Sequence, residues 1–447
     1  MKKQHDFTQG NILKQLIVFS GPIMLANLLQ TSYQFIDSLW IGNLLGANAL
    51  GAVAVSSTII FTVLSFVIGL NNAALTILSQ QKGRDNEEGL KRYLNAFVVL
   101  LTLIALTLGI TGFIFSNGFL NLLGTPESMM AEANSYLRIT FLGILFLFGY
   151  NFISTVLRAL GDSKTPMNFV IIAVLMNVVL DPVFISVFNW GVEGAALATV
   201  VSQGTAFLYG TIYVLYSKLA PFTLPKLPSW YEVKLILNLG IPSGLQMAVI
   251  SAGSAAIMSV VTTFGAGVVA GFSAAQRLDS LLLLPAHALS TAVGSMAGQN
   301  IGVKNWSRVG KIAKYGVLYN LSMMILVGIL VVFLAEYGVR LFIREEEAVQ
   351  FGTLYLQIIA LCYPFLGINF VLNGIVRAAG AMYQVLVLNI ISFWVLRFPL
   401  TALFANMFGE IGIAIGMGSS FLISSAFAFL YFRYGKWRKK ELFAQGN

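Results

Sequence analysis

Two acidic residues interrupt stretches that are otherwise apolar enough to cross a bilayer. Asp37 lies in Ser20–Gly42, SGPIMLANLLQTSYQFIDSLWIG, and Asp181 lies in MNVVLDP, residues 176–182. A carboxylate held in hydrocarbon costs roughly 2.5 kcal/mol or more and normally faces an interior cavity. In a helix, Tyr33 stands four residues before Asp37 and Gln30 seven, so the three share one face. Asn177 likewise shares a face with Asp181, four residues on. Two carboxyls, an amide and a phenol directed into one interior can hold a proton or coordinate a small hard cation. Leaving water disfavours a charged carboxyl, whereas bound Na⁺ favours it. For Asp181 there is a plainer alternative, that Asp-Pro ends a helix near a surface. Pro22, fifteen residues before Asp37, removes a backbone donor and predicts a kink.

The elements that position these groups follow from bulk composition. Of 447 residues, 57% are hydrophobic and only 10% charged, against about 25% charged in ordinary soluble domains. The chain is therefore an all-α polytopic membrane protein. Met1–Lys14 is mostly polar and the first apolar run is long enough to span, so no cleaved leader is expected. Runs of spanning length fall near 11–40, 48–79, 92–117, 132–157, 165–188, 193–216, 232–263, 267–298, 310–336, 348–375, 382–406 and 411–434. With the N-terminus cytoplasmic, 22 of the 27 Lys and Arg fall on the cytoplasmic side, and only Arg138, Arg340 and Arg344 on the other. Both termini are expected in the cytoplasm, the chain being multi-pass in the inner (plasma) membrane. The net charge of +9 thus records topology, and no nucleic-acid partner is expected. The lone cysteine, Cys362, excludes a disulfide framework and a cysteine-rich metal site, and His5 and His287 form no ligand cluster.

The segment 217–230, SKLAPFTLPKLPSW, carries three prolines and is expected to link two halves, 1–216 and 231–447. A constant shift of 219 residues superimposes Gly46-Ala47 on Gly265-Ala266, Gln80 and Gly83 on Gln299 and Gly302, and Tyr136-Leu137 on Tyr355-Leu356. It also places Arg158-Ala159 and Gly161 on Arg377-Ala378 and Gly380. Twelve transmembrane helices thus form two six-helix bundles. An even number of spans makes the repeats parallel, with pseudo-twofold symmetry along the membrane normal. Neither acid is repeated: Asp37 falls near Ala256 and Asp181 near Leu400. The chemistry is confined to the first half.

Other embedded charges are open to plainer readings. Arg277 and Asp279, two residues apart, point to different faces and suit structural pairing or snorkelling, and Arg397 is similarly ambiguous. Tyr33, Phe61, Tyr150 and Met176 are candidate walls of a cavity for flat cations, since aromatic faces and thioethers favour such ligands. The sequence holds no Walker A, HExxH or GxSxG pattern, so neither ATP-driven transport nor hydrolysis is supported and the chain is not expected to be an enzyme.

The first-helix sequence, QxxG after the second and eighth spans, RALGDSKTP (158–166), NVVLDPVFI (177–185) and GVEGAALAT (191–199) resemble the multidrug and toxic compound extrusion (MATE) transporters, and the first half is similar to their DinF-type branch. The resemblance implies a network of Asp37, Asp181, Asn177 and Tyr33, surrounded by Tyr136, Ser154 and Thr199, and a helix that bends at Pro22 on protonation. It implies a substrate cavity lined by Gln30, Gln34, Phe61, Tyr136, Tyr150, Ser154, Met176 and Thr199. The NorM-type branch carries acids in its seventh and tenth helices; here 240–261 and 363–380 contain none. The implied activity is multidrug efflux by secondary antiport, exporting amphipathic cationic drugs or dyes for protons by alternating access. No cofactor is expected beyond the coupling ion, and no obligate protein partner. Na⁺ held by Asp37, Asn177 and Asp181 is the alternative ion. A lipid-linked precursor flippase would call for an Arg-rich cavity, for which only Arg277 and Arg397 are available. Buried acids and a twofold repeat argue against a channel or scaffold.

Overall fold

The structure, a computed structural model, describes residues 5–443. Among these residues the regular structure is entirely helical. Ten helices are long and apolar enough to cross a membrane, and two bent pairs bring the total to twelve. In the first half these are α1 (Ile12–Leu45), α2 (Ala47–Gly83), α3 (Glu87–Leu122), the pair α4 (Glu127–Leu142) and α5 (Ile144–Ala159), α6 (Lys164–Pro182) and α7 (Gly191–Tyr216). In the second they are α8 (Trp230–Val261), α9 (Ala266–Leu282) running on into α10 (Leu284–Gly302), α11 (Trp306–Arg340), the pair α12 (Glu346–Ala360) and α13 (Tyr363–Ala378), α14 (Met382–Ile390) with α15 (Phe398–Phe408), and α16 (Ile411–Tyr434). The twelve expected apolar runs correspond one to one with these spans.

Sequence pattern did not disclose four local departures. The fourth and tenth spans bend by 51° and 54°. A wide, five-residue-repeat turn, Val183–Val187, extends α6, and a second, Ile391–Arg397, joins α14 to α15.

The 219-residue repeat is written into the turns. Gly46 and Gly265 have φ of 91° and 97°, and Gly161 and Gly380 have 90° and 84°, left-handed values that a side chain resists. Asn86 and Asn305 cap α3 and α11, accepting hydrogen bonds from Gly89 and Arg308 amides. Even the close approaches recur. A Cβ on Gly109 would stand 3.0 Å from the Phe141 carbonyl oxygen, and one on Gly328 would stand 3.0 Å from that of Ala360. Glycine lets the third and ninth spans lie against the bends.

Two compact units result, one of residues 21–240 with the segment ending at Asp6, the other of residues 7–20 and the described chain from Ile241 on. In the first, 217–229 is tied down: the Asn95 side chain donates to the Lys226 carbonyl (2.8 Å) and accepts from its amide (2.7 Å). Ser229 and Glu232 form a capping box at the start of α8, and Glu232 also takes Arg92 Nε at 2.8 Å. In the second unit Phe7 is fully buried, its amide donating to Gln299 and its carbonyl accepting from Asn300 and Arg308. α1 is uninterrupted through Pro22, which lies within it.

Candidate functional site

The acids of the first unit come together. α1 supplies Asp37 about 12 Å from its end, eight residues before Leu45. α6 supplies Asp181 in its last turn, just before the wide turn that begins at Val183. Such turns free backbone geometry near functional groups. Asp181 is fully buried and Asn177 nearly so, at 0% and 2% exposure. Asp181 is therefore no surface helix terminator. Asn177 Nδ2 donates to Asp181 Oδ1 at 3.1 Å and to Thr199 Oγ1, on α7, at 3.3 Å.

Asp37 and Asp181 lie close enough for the charge of one to act on the other. No protein donor reaches Asp37 Oδ1 or Asp181 Oδ2 among the described residues, and Asn177 Oδ1 and Ser202 Oγ also lack a partner. Two charged carboxylates so placed repel and have no hydrogen to share. A proton between them, or a cation beside them, removes both difficulties.

Around this pair, Tyr33 shares a small cavity with Gln203 and lies close enough to both acids to feel their charge, as does Tyr136. A small cavity with room for about one water-sized sphere, ≈ 10 Å³, is lined by Gln30, Tyr33, Tyr150, Asn177, Thr199, Ser202 and Gln203 together with Val170, Ala173 and Val174. Tyr136, at 7% exposure, packs among Ile41, Val53, Ile185 and Val192.

The remaining expected residues lie apart from this cluster or are otherwise engaged. Ser154 donates to the Tyr150 carbonyl at 2.9 Å, so its hydroxyl is spent on its own helix. Phe61 is 45% exposed, Gln34 is exposed, and Met176 is half-buried. Pro22 is about 22 Å along α1 from Asp37. Ser202 and Gln203 were not anticipated. Their spacing from Thr199, three and four residues on within an apolar span, was the available signal.

The second unit has a separate polar cluster. Asp279, 7% exposed, accepts from the hydroxyls of Tyr363 and, at 3.4 Å, Tyr355. Arg277 is exposed and lies over Phe342 at 5.8 Å, so these neighbours in sequence take different partners. Arg397, buried, stacks on Phe393 and Phe421 at 3.8 and 4.5 Å and reaches Ser420 through Nε. The described residues hold no group of three or more His, Cys, Asp or Glu placed for a metal ion.

The MatE family model matches the chain twice, over residues 22–183 and 242–403. The chain is 62% identical over 443 residues to the probable multidrug resistance protein YpnP of Bacillus subtilis, covering 99% of this chain and all of that one. It is 28% identical to the probable multidrug resistance protein NorM of Thermotoga maritima, over 96% of this chain and 94% of that one. Among solved structures, it superimposes with a TM-score of 0.92 on the outward-facing conformation of a multidrug resistance MATE family transporter, at 23% identity, over 98% of this chain and all of that one.

Proposed function

Because the chain belongs to the MatE family of membrane transporters, we propose that it exports amphipathic, cationic drugs or dyes in exchange for protons, with the Asp37–Asp181 pair holding the proton. One observation carries this reading: two neighbouring acids, Asp181 fully buried and Asp37 partly so, each keep a carboxyl oxygen, Asp37 Oδ1 and Asp181 Oδ2, that is out of solvent and that no protein donor reaches. A shared proton supplies the missing hydrogen. Its departure leaves two negative charges in a low-dielectric interior, which favours a cationic substrate and disfavours the empty, doubly charged state. Proton and drug then compete for one charge balance, which is the thermodynamic requirement of antiport. Protonation also alters the hydrogen-bonding of α1, and the donor missing at Pro22 is where that helix yields to it. The distribution of Lys and Arg supports a plasma-membrane protein with both termini in the cytoplasm.

A second reading, Na⁺ in place of the proton, draws on a specific atom. Asn177 Oδ1 also lacks a partner, and an amide oxygen is a ligand for a hard cation but not a proton carrier. Asp37, Asn177 and Asp181 would hold the ion, which would supply positive charge between the carboxylates. Dye efflux from proteoliposomes under a pH gradient alone and an Na⁺ gradient alone separates the two. Proton antiport requires efflux under the first and none under the second; efflux under Na⁺ only keeps the site and replaces the ion.

A further inference from the structure

We propose that the face of the first unit formed by α3, α4 and α5 binds an anionic phospholipid, its phosphate at Arg138 and one acyl chain in the groove beside the α4–α5 bend. The groove measures about 270 Å³ and is lined entirely by apolar residues, among them Leu106, Ile110, Phe113, Phe141 and Leu145. Its lining comes from both sides of the 51° bend at Gly143, and Ile110 and Leu142 are 60% and 68% exposed. In a membrane-spanning segment the fluid that covers such a surface is lipid.

Arg138 gives the groove a headgroup end. Residues 97–115 of α3 are uncharged, about 28 Å of helix, and Ser116 and Asn117 follow; on α4 the last charged residue is Arg138. Phe113 and Arg138 therefore meet at the edge of the hydrocarbon, the guanidinium 4.0 Å from the ring centroid, beside a Ser116–Asn134 hydrogen bond of 2.6 Å. Arg138 is exposed, and among the described residues no carboxylate lies within ion-pairing distance of it. Its planar fork suits a phosphate.

The second unit serves as an internal control. The glycine facing the bend recurs there, with Gly328 against Ala360 as Gly109 is against Phe141. At Arg138's repeat position stands Gln357, whose amide donates to the carbonyl of Val332, the counterpart of Phe113. The bent architecture needs the glycine but not the arginine.

The test is lipid retention by the full-length protein in native mass spectrometry, with phosphatidylglycerol and phosphatidylcholine of identical chains. Wild type is expected to retain the anionic lipid at least tenfold better, Arg138→Gln less than twofold, and Arg138→Lys in between. Ile110→Trp, which fills the groove at an exposed position, should lower retention of both lipids. Unfolding midpoints in lipid-free detergent report folding: Arg138→Gln should match wild type, and phosphatidylglycerol should raise only the wild-type midpoint. Equal retention of the two lipids by wild type, or an undiminished preference in Arg138→Gln, overturns the proposal. So does inorganic phosphate raising the midpoint as much as the lipid, since the groove would then contribute nothing.

Discussion

Asn177→Ala offers a quantitative check on how the acid pair is held. The substitution removes the donor to Asp181 Oδ1 at 3.1 Å and to Thr199 Oγ1 at 3.3 Å. Thr199 loses an ordinary hydrogen bond, worth about 0.5–1.5 kcal/mol. Asp181 is fully buried and cannot turn to water, so stranding its oxygen adds about 1–3 kcal/mol. The total is about 1.5–4.5 kcal/mol. In an Asp181→Leu background the second contribution vanishes while the Thr199 contribution and the cavity remain. The two substitutions should therefore couple by about 1–3 kcal/mol, the contribution that vanishes. Denaturant titration of the purified protein in mixed micelles, followed by tryptophan fluorescence, gives the four unfolding free energies. Additivity within about 0.5 kcal/mol would refute the reasoning, because contacting residues that share a buried hydrogen bond do not behave independently.

Three further outcomes follow from geometry elsewhere. Gly109→Ala and Gly328→Ala each place a methyl 3.0 Å from a backbone carbonyl. Both should lower the unfolding midpoint, each costing about 1–3 kcal/mol, and a marked effect at one site only would contradict the structural repeat. Glu232→Ala loses the capping box on α8 and the Arg92 contact, about 1–2 kcal/mol together. Because the Arg92 side chain is half exposed, a double-mutant cycle with Arg92→Ala should return 1 kcal/mol or less. Tyr363→Phe should destabilise the protein by about 1–3 kcal/mol and Tyr355→Phe by less, since the Tyr355 bond to Asp279 is long at 3.4 Å. Thermal unfolding of the two variants side by side gives the order, and the reverse order would count against it.

Much of the fold was legible because hydrocarbon imposes a length and a polarity that a sequence must display. The last two spans, expected at 382–406 and 411–434, are Met382–Phe408 and Ile411–Tyr434. The repeat was legible because turn residues such as Gly46 and Gly265 have no substitute at positive φ. The bends were not. Pro364 follows the second bend, but no proline accompanies Gly143; what the two bends share is a glycine on the facing helix, a tertiary feature. The acids stood out as charges inside apolar runs, and the four-residue spacing gave Asn177. Which face of a span turns inward is harder to see when every face is apolar. Phe61 and Gln34, expected as cavity walls, are exposed and do not line the small cavity beside Asn177, whereas Ser202 and Gln203, which carry no charge to single them out, do. The packing of Phe7 against Gln299 and Asn300 joins residues almost 300 apart and leaves no periodic trace.

The central claim is that one proton resides on the Asp37–Asp181 pair and that drug binding displaces it. The direct measurement is substrate-induced proton release: a cationic dye is added to the purified protein in weakly buffered detergent containing a pH indicator. Wild type should release protons in proportion to bound dye, and Asp37→Asn should bind dye without releasing them. Dye binding to wild type with no proton release, or equal release from Asp37→Asn, would contradict the account.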